Sequence, residues 1–177
     1  MAKNASGDDF EFQVVRAAEP FDRFFHREFP RMVALAYGIS GSRWAAEELA
    51  QEACLRAYKS WDSISGYDKP GAWLRRVTIN LANSFLRRKV SELRALERYA
   101  VGGIEPLDPH PVEDESFWEE VKSLPRRQRE VIVLHYVDDM STADIADVLD
   151  ISESSVRTHL QRGREMLAQR VESGGLQ

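Results

Sequence analysis

The run LPRRQREVIVLHYVDDMSTADIADVLDISESSVRTHLQRGREML, residues 124–167, decides the fold of the second half of the chain. Leu124-Pro125 opens a helix through Tyr136, because a proline in the first turn gives up no hydrogen bond that the helix needs. Val131, Ile132 and Leu134 are its core candidates. Ser141 is placed to cap the next helix, with Asp144 where a capping box has Glu. Ile145, Ala146 and Leu149 form that helix's inner face, and Asp150 through Glu153 form a turn. A longer helix follows with Val156, Leu160, Gly163, Leu167 and Val171 inward. Glycine is common where Asp150 stands, and Asp tolerates the left-handed conformation better than most residues. Two helices joined by a short turn form the helix-turn-helix pattern that reads DNA.

At about 100° per residue, the outer face of the long helix displays Ser154, Thr158, Gln161 and Arg162, flanked by Arg157 and Arg164. Such groups suit base edges and phosphates, although a plain solvated face has the same composition. His159 falls nearer the buried edge, where packing is expected. Upstream, the stripe weakens from Ser91 to Glu115, with Gly102-Gly103 and then Pro106, Pro109 and Pro111 among acids. This reads as a linker.

The first half is also helical. Phe21, Phe24 and Phe25 mark a short helix, and Pro30 is placed to open a second that carries Met32, Val33, Ala36 and Ile39. Gly41 supplies a left-handed C-cap and Ser42 an N-cap. Ala46, Leu49, Ala50, Ala53, Cys54, Ala57 and Trp61 then recur at spacings of three and four, which is a buried helix face. Cys54 on that face is a small core residue. After a loop with Ser63, Ser65 and Gly66, Pro70-Gly71 starts a helix expected to run to about Lys89, with Leu74, Val77, Leu81, Ala82 and Phe85 inward. No alternating β-branched run appears, so the fold class is all-α.

Charge is segregated along the chain. The formal net charge of -5 argues against indiscriminate DNA coating. Residues 71–100 nevertheless hold Arg75, Arg76, Arg87, Arg88, Lys89, Arg94 and Arg98 against Glu92 and Glu97, and residues 101–121 hold acids alone. On the helix from Pro70, Arg76, Asn80, Asn83 and Arg87 lie opposite the apolar face, with Arg75, Ser84 and Arg88 beside them. Alternating cations and amides suit a phosphate backbone and base edges. Trp61 and Trp73 bracket the preceding loop, where rings could stack on unpaired bases or belong to the core. Glu47, Glu48, Gln51 and Glu52 instead form an acidic patch that DNA would repel, and a positively charged protein partner fits it better.

Several classes are set aside. Met1 to Gln13 lacks the apolar core of a signal peptide, and no segment approaches the roughly 18 apolar residues that span a membrane, so a cytoplasmic protein without membrane insertion is expected. One cysteine allows no internal disulfide, and His26, His110, His135 and His159 have no metal-ligand spacing. No metal, cofactor or catalytic set is expected, for there are no paired catalytic carboxylates, no nucleophile with its base and no phosphate loop. The remaining rival is an ordinary helix-turn-helix regulator with an N-terminal dimerisation or sensing domain.

Three segments in order, AEELAQEACLRAYKSW (46–61), GAWLRRVTINLANSFLRRK (71–89) and residues 124–167, resemble the extracytoplasmic-function (ECF) group of bacterial RNA polymerase sigma factors. The match covers roughly Phe21 to Val171. The resemblance implies two small helical domains joined by a flexible acidic linker: a flexible segment at 1–18, sigma region 2 at 19–90, the linker at 91–115, the region 4 helix-turn-helix at 116–172 and a tail at 173–177. It implies binding of core RNA polymerase at its clamp coiled coil through Glu48, Gln51 and Glu52, and at its flap through region 4. A pocket loop of Ser63, Ile64, Ser65 and Gly66 would take a flipped minus-ten base, beside Arg76, Asn80, Asn83, Ser84 and Arg87. Ser155, Arg157, Thr158, Gln161, Arg162 and Arg164 match the helix that reads the minus-thirty-five element. Promoter DNA would thus be met both as duplex and as single strand. The linker would thread the polymerase's basic cleft, and with no appended sensor domain, regulation would come from a separate anti-sigma factor or from expression level.

Overall fold

A computed structural model of the chain describes residues 19–99 and 115–174, with side chains over 19–95 and 118–170. The central part of the expected linker, 100–114, lies outside the described residues, as do residues 1–18 and the side chain of Val171. Every regular element among the described residues is a helix: α1 (Phe21–Ser40), α2 (Arg43–Lys59), α3 (Trp61–Ile64), α4 (Pro70–Tyr99), α5 (Glu115–Ser123), α6 (Arg126–Tyr136), α7 (Thr142–Leu149) and α8 (Glu153–Gly174).

Helices α1, α2 and α4 form the first bundle. Ala45, Ala46, Ala50, Ala53 and Ala57 are buried on α2, and side chains this small let the neighbouring helices approach closely. Met32, Leu35 and Ile39 of α1 and Leu74 of α4 are completely enclosed, each contributing about 1.5–3 kcal/mol of burial. Gly41 adopts φ 65° and returns its N–H to the Tyr37 carbonyl, and the Ser42 hydroxyl accepts the Ala45 N–H, so the α1–α2 corner is capped from both sides.

Three expectations are corrected. The two short helices anticipated before Gly41 are one, with Pro30 inside it. An interior proline costs about 3 kcal/mol or more. Aromatic packing on α1 offsets this cost: Phe24 and Trp61 have ring centroids 4.6 Å apart, Phe21 and Trp61 5.3 Å, and Phe25 and Phe29 5.0 Å on the turn before the proline. Helix α4 continues past Lys89 to Tyr99, into the segment expected to be linker. Its inner face is also wider than expected. Arg75, Thr78, Ile79 and Asn83 are buried along with Leu74 and Ala82, because α4 has packed neighbours on two sides, α1 and α2 on one and α7 on the other.

The second bundle follows its sequence pattern closely. Ser141 caps α7 through the Asp144 N–H, and Asp150 takes the left-handed conformation at φ 54°. Val131, Ile132 and Leu134, then Ile145, Ala146 and Leu149, then Val156, Leu160 and Gly163 are buried. His159 is half-buried with Nδ1 enclosed, as packing requires.

Cys54 is 4% exposed, and burial with the nearby Glu28 charge pushes its thiol up to about 11. Thiolate is the reactive form. At pH 8, a disulfide reagent such as DTNB should therefore titrate no thiol in the native protein and one in guanidinium chloride, read at 412 nm on the order of minutes.

Candidate nucleic-acid interface

Helix α4 carries the cation and amide stripe. Asn80 and Arg87 are exposed and Ser84 half-buried, with the Ser84 hydroxyl donating to the Asn80 carbonyl (2.8 Å) and accepting from Arg87 (2.9 Å). The second bond joins the Ser84 and Arg87 side chains along a groove of about 560 Å³ that Asn80, Arg56, Arg88 and Ser91 also line. The remaining two stripe residues point elsewhere. Arg76 donates to the Val148 and Asp147 carbonyls at 3.0 and 2.7 Å, and Asn83 is buried with its amide on Glu130 at 2.8 Å. Both are held by the second bundle.

The loop before α4 is not uniform. Ser63 and Gly66 are exposed and Ser65 is half-buried, but Ile64 is 1% exposed and belongs to the core. The expected four-residue loop surface is therefore corrected at Ile64, whose apolar side chain anchors the short helix α3 to the first bundle. Trp61 is likewise half-buried against Phe21 and Phe24, and its indole N–H donates to the Glu19 carbonyl (3.2 Å).

On α2, Glu48 and Gln51 are exposed and Glu52 half-buried, the last paired with Arg56 at 2.8 Å. Sequence reading missed two neighbours. Trp44 is 68% and Leu55 45% exposed. At 100° per residue, Trp44, Glu48, Gln51 and Leu55 fall within one narrow arc. The spacing four, three, four was legible, but an apolar residue is assigned to a core by default and only the outward direction of the arc corrects that.

The outer face of α8 presents Thr158, Gln161 and Arg162 exposed and Ser155 half-buried. Arg157 is paired with Glu153 and Gln161 with Glu165, while Arg164 is drawn to the Tyr136 hydroxyl at 2.5 Å with its guanidinium over that ring. The Ser152 hydroxyl accepts the Ser155 N–H, a cap that fixes where α8 begins. The Asp144 carboxylate is held below the usual carboxylate range by the Ser141 hydroxyl and by Lys69.

A family model described as Sigma-70 region 2 matches residues 24–92, and one described as Sigma-70, region 4, matches residues 114–167. The ECF RNA polymerase sigma factor SigW of Bacillus subtilis is 32% identical over 155 residues, spanning 80% of this chain and 83% of that one. The chain belongs to the ECF group of RNA polymerase sigma factors. An RNA polymerase sigma-E factor of Streptomyces avermitilis is 30% identical over 131 residues, covering 74% of this sigma factor and 73% of its relative. The fold is that of the sigma factor RpoE solved with the anti-sigma factor NepR from Bartonella quintana, at a TM-score of 0.70, 22% identity and coverage of 86% and 96%. As a sigma factor, the chain directs RNA polymerase to promoters. No helix among the described residues is long and apolar enough to cross a membrane.

The Ser141 hydroxyl serves α7 twice, accepting the Asp144 N–H (3.1 Å) and donating to the Asp144 carboxylate (2.7 Å). Ser141→Ala should lower stability by about 1 kcal/mol, seen as a lower urea midpoint with an unchanged slope.

Proposed function

We propose that this sigma factor opens promoter DNA with its first bundle and reads the upstream element with its second, and that it has no catalytic activity of its own. The observation that carries this is the presence of three outward faces of contrasting chemistry on one small helical chain. The α4 stripe, outward at Asn80, Ser84 and Arg87 and held by the second bundle at Arg76 and Asn83, is assigned with the loop of Ser63, Ser65 and Gly66 to the minus-ten element. The α8 face of Ser155, Arg157, Thr158, Gln161, Arg162 and Arg164 faces the minus-thirty-five element. The α2 arc of Glu48, Gln51 and Glu52, extended by exposed Trp44 and Leu55, faces the polymerase clamp. An apolar arc interrupted by carboxylates suits a basic protein partner and repels a phosphate backbone. Flipping a base out of the duplex costs a few kcal/mol, which a shaped pocket offsets for one base only, so melting can be selective without ATP. An anti-sigma partner is supported by the solved complex of RpoE with NepR, whose sigma factor shares this fold.

Purified core polymerase with this protein should shift promoter DNA at moderate salt and expose unpaired thymines to permanganate near the start site, while the protein alone should do neither. Glu48→Lys with Glu52→Lys should abolish both effects at unchanged helical content. Tight sequence-specific binding by the protein alone, with no polymerase-dependent opening, would instead identify an ordinary regulator.

Arg162 makes no hydrogen bond or ion pair within the described chain and is exposed on the centre of the α8 face. A bidentate contact from it to a base is worth about 1–3 kcal/mol of discrimination. Arg162→Ala should lower run-off transcription from cognate promoters and flatten the differences among upstream-element variants.

A further inference from the structure

Helices α4, α5 and α6 border a groove of about 720 Å³ in which Arg87 and Arg94 of α4 stand with Lys122 of α5 and Arg126 and Arg129 of α6. Gathering so many cations is costly unless carboxylates answer them. Among the described residues only Glu119 and Glu130 do so. Glu119 pairs with Lys122, and Glu130 accepts Arg126 at 2.7 Å while also holding Arg127 at 2.9 Å and Asn83 at 2.8 Å. Arg87 donates to the Ser84 hydroxyl and has no carboxylate, and Arg94, exposed, makes no hydrogen bond or ion pair among the described residues. Arg129 spends Nη1 on the Lys122 carbonyl at 2.7 Å, and its enclosed Nε has no partner. Burial holds its guanidinium below the ordinary value, Glu130 offsets only part of that effect, and Arg126 adds to it. The groove is short of negative charge on either wall.

We infer that this groove is a binding site for a small polyphosphate anion, free or carried on a nucleoside. A single small anion placed there would meet one wall, whereas a chain of phosphates can meet Arg94 on α4 and Arg126 and Arg129 on α6, whose guanidinium forks suit phosphate oxygens. The volume lies within the roughly 300–1,000 Å³ of small-molecule sites. Such sites join a few polar groups to an apolar lining, and Leu86, Val90 and Ala95 supply one along α4, with Val90 45% exposed. The planar part of a nucleotide would lie on that lining. Of the cations only Arg87 belongs to the stripe assigned to promoter DNA, and none belongs to the α8 face, so the inference goes beyond that assignment. An anion seated between the walls also ties α4 to α5 and α6, and the bound chain should melt at a higher temperature.

Calorimetry on the full chain, in magnesium-free buffer at about 150 mM salt, tests this with orthophosphate, tripolyphosphate and ATP as probes. Tripolyphosphate should bind with a Kd on the order of 10–100 µM, and orthophosphate about tenfold more weakly or worse. Arg94→Glu, at an exposed position, should weaken tripolyphosphate about tenfold. Arg126→Gln, on the opposite wall, should weaken it severalfold, and it leaves Glu130 with Arg127 and Asn83. Arg23→Glu makes the same charge change as Arg94→Glu at an exposed site on α1 and should stay within about twofold of wild type. ATP binding tighter than tripolyphosphate, with the excess lost in Val90→Ser, would put a nucleoside on the apolar lining. ATP no tighter than tripolyphosphate would leave free polyphosphate as the ligand, and either result supports the site. No tripolyphosphate binding at about 1 mM, orthophosphate as tight as tripolyphosphate, or an equal loss in Arg23→Glu would overturn it. So would displacement of tripolyphosphate by an oligothymidylate at equal phosphate concentration, which would give the groove to a nucleic-acid strand instead.

Discussion

Arg75 carries a charge that cannot be lost into a place that is only 7% exposed. A guanidinium there is tolerable only with carboxylates on its fork, and the fork spans two bundles: Glu28 lies within its own, Asp138 in the other. Burial weakens the cationic form, and the two carboxylates more than offset that effect, leaving the guanidinium above its ordinary value. Asp138 shows the opposite balance. Its desolvation outweighs the bridge and pushes the carboxyl up. The contact is therefore geometrically exact for the arginine and costly for the aspartate, and the orientation of the whole second bundle on α4 follows from satisfying it.

Helix α4 is the member that all the surfaces share. One side completes the apolar bundle with α1 and α2, another receives α7, and the remainder keeps Asn80, Ser84 and Arg87 toward solvent. A helix divided in this way cannot have a clean amphipathic pattern. Its polar residues supply the seam, and donors of this kind also suit nucleic acid: an arginine that fits two backbone carbonyls or a carboxylate also fits a phosphate, and an amide that fits Glu130 also fits a base edge.

What the sequence made legible was local. Ser141 and Ser42 as caps, Gly41 and Asp150 in the left-handed region, and the inward residues of α6 to α8 depend on interactions within a few positions, and each stands where the pattern placed it. What it left illegible was set at a distance. Pro30 reads as a helix start because its cost is local, while the Phe24–Trp61 packing that offsets it joins positions far apart in the chain. Arg75 and Asn83 read as solvent-facing because their partners, Asp138 and Glu130, lie in the other bundle. Ile64 reads as part of a loop because its neighbours are polar, although its own apolar side chain is the contrary signal. Helix α4 runs on to Tyr99, past the last strong apolar stripe, through a stretch whose residues, Leu93, Arg94 and Ala95 among them, favour the helix.

The exposed arc of α2 shows why the seam and the partner surfaces need not compete. Trp44, Glu48, Gln51 and Leu55 face away from α1 and α4, so a clamp-like partner has access to them whether the bundles are closed or apart. A partner seated on that arc would touch neither Arg75 nor Asn83, both of which are buried. The arc and the seam thus lie on different faces of the first bundle, and a contact made at one leaves the hydrogen bonds of the other in place.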